Sequence, residues 1–160
     1  MLVQCGQRNR AWSEGTTRKS CHCEGSHCVG PPYGRGDNNI HQVANDQSVL
    51  ADALNIFSTD ENDNDYILEL YTKSIKTCGD LFGLACVCVA IRKVKLVKFR
   101  IKIANVTKDV NGAKVHLQCA LDLCVHSLEI YGAVGSSGRE DDKNEVQKKI
   151  KSLNVQLTQL

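Results

Sequence analysis

Residues 80–104, DLFGLACVCVAIRKVKLVKFRIKIA, form the longest apolar-rich stretch of the 160-residue chain, and their reading decides the fold. The stretch changes character halfway. Leu81 to Ile91 carries no charge, whereas Arg92 to Lys102 carries six basic residues and no acid. Leu84, Val87, Ile91, Val94, Val97, Ile101 and Ala104 recur at steps of three and four, the spacing of one apolar helix stripe. Asp80 is placed to cap that helix, and Lys95, Lys98 and Lys102 stack on another of its faces. The competing strand reading uses the alternation of Phe99, Ile101 and Ile103 with Lys98, Arg100 and Lys102. It needs a slip at the adjacent apolar pair Leu96 and Val97, and about 25 residues far exceed a strand of roughly 5–6. A membrane span is excluded as well, since about 11 uncharged residues fall short of the roughly 20 required.

Working outward, the same periodicity continues. Ile67, Leu70, Tyr71, Ser74 and Ile75 make a stripe closed by Cys78-Gly79, and Asn111-Gly112 reads as a breaker. Leu117, Leu121, Cys124, Leu128 and Tyr131 repeat at four, three, four and three before GAVGSSG at 132–138 interrupts. From about Asp142, the residues Val146, Ile150, Leu153, Leu157 and Leu160 keep that spacing, with Lys148, Lys149 and Lys151 outside. Before the central stretch, an amphipathic helix is expected from about Asp46 to Phe57, with Val49, Leu50, Ala53, Leu54 and Phe57 on one side, followed by the acidic linker STDENDND at 58–65. Residues 1–45 are rich in Gly, Ser, Asn, Arg and Gln without apolar period, and read as a disordered tail. Narrow seams between short breakers predict an all-α fold over 46–160, an up-and-down antiparallel helical bundle of about four helices.

Composition is compatible with one domain and a core, at 42% apolar residues, while a net charge of +2 says little about partners. Two prolines, Pro31 and Pro32, fit a helical chain better than a turn-rich β chain. Nine cysteines suggest an oxidising compartment, yet the first twenty residues show no signal-peptide apolar run.

The dense soft-ligand cluster is Cys21, His22, Cys23, His27 and Cys28. It matches no standard finger or ribbon spacing, so no metal and no cofactor is expected, with Cys21, Cys23, His27 and Cys28 the candidates if one is bound. Residues 92–102 read first as a solvated basic face. As a docking face, Lys95, Lys98 and Lys102 suit an acidic protein surface as well as nucleic acid; Phe99 is the one interleaved aromatic, and the partner expected is a protein, not nucleic acid. Asp122 and His126 are four apart and could touch, but no matched nucleophile accompanies them and no catalytic motif occurs, so the chain is not expected to be an enzyme. Asn105-Val106-Thr107 is a glycosylation sequon, and Arg35-Gly36-Asp37 is read as a chance tripeptide.

Two segments carry a resemblance. Asp65-Tyr66 through Ile75 with GDLFGLA at 79–85, and ALDLC at 120–124 with LEIYGAV at 128–134, resemble the plant invertase and pectin methylesterase inhibitor family. The likeness covers about 66–134. It departs from the family in having no cysteine between Cys28 and Cys78, and in placing Tyr131 seven residues after Cys124 rather than about four. The resemblance implies a truncated or diverged member. It implies a disulfide cysteine at Cys124, or else Cys119, and location in the cell wall space or vacuole. The implied activity is stoichiometric blocking of a carbohydrate-active enzyme there. The alternative expectation is a small intracellular helical protein that binds a partner through 146–160 or 92–102 without inhibiting anything.

Overall fold

A computed structural model describes residues 35–58, 62–134 and 139–160, with side chains from Asn39 onward except that of Val134. Every regular element among them is an α-helix: α1 Arg35–Phe57, α2 Asp63–Phe82, α3 Val87–Val106, α4 Val110–Val134 and α5 Glu140–Gln159. The helical reading of 94–103 therefore holds, and the strand alternative does not. Consecutive helices pack on each other, α1 on α2, α2 on α3, α3 on α4 and α4 on α5. No described helix is long and apolar enough to cross a membrane.

The central stretch is not one helix but a corner. Helix α2 runs on through Gly79 and Asp80 to Phe82, and Asp80 sits inside it, accepting from Lys76 at 2.6 Å, instead of capping α3. The break falls at Gly83, whose φ of 88° and ψ of 150° lie in a region that L side chains scarcely enter. Its N–H still bonds Gly79 O at 2.8 Å, and Cys86 N returns to Gly83 O at 3.1 Å, so few backbone groups are orphaned across the bend. Leu84, expected in the stripe, is instead 70% exposed and leans over Gly79, where an added Cβ would stand 2.8 Å from Leu84 Cδ2.

The next break also moves. Helix α4 passes straight through Asn111-Gly112, and the chain turns at residues 107–109 instead. Thr107 ends α3 by donating both its N–H and its hydroxyl to Ile103 O, at 2.9 and 2.8 Å. Asp109 then caps α4, its carboxylate accepting from Asn111 N at 3.2 Å and Gly112 N at 2.7 Å. Gly112 belongs to that cap, because a Cβ there would lie 3.1 Å from Asp109 Oδ2.

The largest correction concerns α1. It starts eleven residues before the expected Asp46, so 35–45 is helix rather than tail. It also buries the opposite character of face. Ala44, Ser48 and Ala51 turn inward, whereas Val49, Leu50 and Phe57 of the expected apolar side are exposed. Small inward residues let α1 approach α2 closely enough for Ser74 Oγ to donate to Ala44 O at 2.5 Å. That burial signal is hard to read in sequence because Ala and Ser carry little apolar weight.

Two apolar clusters result. One joins Ala51, Ile67, Leu70, Tyr71, Leu96, Phe99 and Ile103 across α1, α2 and α3. The other joins Val89, Ala90, Val97 and Ala104 of α3 to Leu117, Ala120, Cys124 and Tyr131 of α4 and to Val146 and Leu153 of α5. The expected seams of α4 and α5 are thus spent inside the molecule, although Leu160 is exposed.

Candidate functional site

The basic run 92–102 lies on α3, and its cations point to different neighbouring helices. Arg92 is buried, a placement its charge did not suggest. Its Nε donates to Ser74 Oγ at 3.0 Å, one terminal nitrogen donates to Cys88 O at 3.1 Å, and the other donates to Asn45 Oδ1. One guanidinium therefore ties α3 to both α1 and α2 through neutral acceptors, using the planar fork of arginine.

Lys95 donates to Asp52 at 2.6 Å and to Ser48 Oγ at 3.2 Å, both on α1. Asp52 also accepts from the Tyr71 hydroxyl at 2.6 Å, so a single carboxylate bridges α1, α2 and α3. Burial, followed by this hydrogen bond and the negative charge of Asp52, pushes the Tyr71 phenol well above its usual range. Lys102 reaches Asn55 on α1, at 2.7 Å to its backbone oxygen and 2.8 Å to its side chain. Lys98 points the other way and pairs with Glu145 of α5 at 3.3 Å, while Lys149 holds the same carboxylate at 3.2 Å. The Lys149 hydrogen bond above all, with help from Lys98, holds Glu145 below the ordinary carboxylate value. The three lysines expected to form a docking face are thus each engaged inside the chain.

Other expected site residues are scattered. Cys124 is a fully buried thiol in the larger cluster, and burial pushes it up to about 11. Cys119 is half-buried five residues earlier on the same helix, and neither forms a disulfide. Asn105 is exposed on the last turn of α3, where the sequon needs it. His126 is exposed, and Asp122 accepts from Gln118 at 3.1 Å. His116 faces Arg100 at 3.3 Å, and burial followed by that cation lowers its pKa. Cys21, Cys23, His27 and Cys28 lie outside the described residues, as does the rest of 1–34. Among the described residues no group of three or more His, Cys, Asp or Glu is arranged to hold a metal ion.

What the arrangement leaves facing outward is the apolar flank of α1. Ile40, Val43, Leu50 and Phe57 follow one another at steps of three and seven along one side, and Phe57 is 80% exposed. Val49 and Ile56 are exposed along the other side. Leu50 and Phe57 stood in the expected apolar side, but Ile40 and Val43 fell in the stretch read as tail, and the outward orientation depends on which face the neighbours cover. No family model, curated protein or solved structure matches the chain.

Proposed function

We propose that the chain works by docking onto another protein and obstructing it, as an inhibitor of a plant carbohydrate-active enzyme of the cell wall or vacuole, an acid invertase or a pectin methylesterase. The observation that carries docking is the outward row Ile40, Val43, Leu50 and Phe57 on a helix locked to its neighbours by Arg92, Lys95 and Lys102. Large apolar side chains held on a rigid backbone lose little freedom on association, which is the usual basis of a tight, purely steric block. The target class rests on the resemblance of 79–85 and 120–134. In this reading the helices form an up-and-down antiparallel bundle. The reading is supported by the short links at 83–86 and 107–109, and by α1–α2 bonds that pair Ala44 with Ser74 and Asp52 with Tyr71.

The test is titration of purified protein against both enzymes. Stoichiometric loss of one activity is expected, with Leu50→Glu and Phe57→Glu relieving it at unchanged helical content. A folded protein that leaves both enzymes untouched overturns the inhibitor assignment. A second reading, a helical docking module without inhibitory activity, is favoured by the same α1 flank. It predicts concentration-dependent self-association in sedimentation, abolished by the two α1 substitutions.

A further inference from the structure

The turn that joins α3 to α4 holds a motif that neither the core nor the α1 flank uses. Asn105-Val106-Thr107 is the one Asn-x-Ser/Thr tripeptide in the chain. Asn105 and Val106 close α3, and Thr107 stands just past it with extended backbone, φ −69° and ψ 123°. Asn105 is exposed. So are Val106, at 54%, and Val110, at 51%, one on each side of the turn. These two valines belong to neither apolar cluster, and leaving them open to water forgoes the gain that burial would bring.

The register of α3 fixes which way this corner faces. Lys95 and Lys102 are seven apart and turn toward α1, while Lys98 turns toward Glu145 of α5. Asn105 follows Lys98 by seven residues and so continues the line that leads to α5. A group attached to Asn105 starts on that side of α3, away from the α1 row Ile40, Val43, Leu50 and Phe57.

We propose that Asn105 is an N-glycan acceptor whose sugar covers Val106 and Val110 and leaves the α1 row open. The donor is a lipid-diphosphate-linked oligosaccharide, and a membrane-bound transferase makes the exchange. The Asn105 side-chain nitrogen bonds to the anomeric carbon of the first sugar, the sugar–diphosphate bond breaks, the lipid diphosphate leaves, and the amide releases one proton. Thr107 supplies the hydroxyl that completes the acceptor tripeptide. In the folded chain that hydroxyl donates to Ile103 O at 2.8 Å, beside the Thr107 N–H at 2.9 Å. Transfer therefore precedes closure of the last turn of α3. The folded corner then carries the sugar without repacking, because Asn105 already faces solvent.

The site rests on the cell-wall or vacuolar location of the proposed inhibitor, and its test reads attached sugar rather than inhibition. The full chain, with a cleavable secretory leader placed before Met1, is translated with microsomes, and protease-protected product is compared before and after endoglycosidase H. One endoglycosidase-sensitive mass increment is expected. Asn105→Gln should abolish it, and Thr107→Ser should keep it, since serine completes the same tripeptide. Hydrogen exchange then compares the glycosylated chain with Asn105→Gln. Amides of 106–112 should exchange several-fold more slowly in the glycosylated form, with those of α1 unchanged. Protease-protected wild type without the increment overturns the acceptor assignment, and so does an increment that survives Asn105→Gln. Equal exchange at 106–112 overturns the covering role. A failed enzyme titration alters none of these readouts, so the two readings fall separately.

Discussion

Toward α1 and α2, helix α3 reaches with long cations, and toward α4 and α5 it packs small and medium apolar side chains. On the first side Arg92, Lys95 and Lys102 cross to Asn45, Ser48, Asp52 and Asn55, while Phe99 and Leu96 fill the space beneath. On the second side Val89, Ala90, Val97 and Ala104 meet Leu117, Ala120 and Cys124, with polar help from the Lys98–Glu145 pair and the Arg100–His116 contact. The difference shows two ways to dock a helix. Hydrogen-bonded arms fix position and tolerate a thin apolar contact, whereas area burial stabilises more per residue but constrains direction less.

Five changes test that contrast, the largest first. Leu153→Ala empties a fully buried position where α5 meets the apolar side, and should cost about 2–5 kcal/mol in urea unfolding. Arg92→Ala strips the stitched side, leaving Asn45 Oδ1 and Ser74 Oγ without the guanidinium that tied them to α3. It should cost about 2–4 kcal/mol, with Arg92→Lys recovering only part because an ammonium cannot reproduce the fork. If Arg92→Ala proves silent, the hydrogen-bonded side is held by Phe99 and its neighbours alone. Gly83→Ala forces a side chain into a backbone region suited to glycine and should cost about 1–3 kcal/mol, read as a lowered thermal midpoint.

Tyr71→Phe removes the hydroxyl from Asp52 but keeps the ring against Phe99, so a loss of about 1–2 kcal/mol is expected. The smallest effect is a pH slope at His116, whose environment includes Arg100 and, more weakly, Asp65. Its folded pKa is depressed, so the fold prefers the neutral ring. The contribution is complete above the unfolded value of about 6.5 and is lost as pH falls through the folded value. Urea midpoints at about pH 7.5 and about pH 5 should therefore differ by less in His116→Gln than in wild type.

The legible parts of the fold were those in which burial follows apolar weight. The stripes through Leu117, Cys124 and Tyr131 and through Val146 and Leu153 face the core as their spacing predicts. Both breaks were misplaced by a few residues, at Gly83 rather than Gly79 and at 107–109 rather than Gly112, because a glycine inside a helix and a glycine ending one look alike until φ is known. Helix α1 was misread more deeply, since its buried residues are Ala44, Ser48 and Ala51. The candidate lysines were identified as one helix face, but the partners of Lys95 and Lys102 on α1 and of Lys98 on α5 lie over 40 positions away in sequence and leave no local trace.

Amino-acid order alone determined that this chain is helical, where its α4 and α5 seams run, and that 94–103 would not form a strand. Those properties follow from intervals of three and four, which the backbone repeat converts into a face without outside help. Tertiary packing decided which side of α1 is covered and that Arg92 is interior. Each of these depends on which neighbour arrives, and a helix with apolar residues on more than one side offers neighbours several surfaces of similar worth.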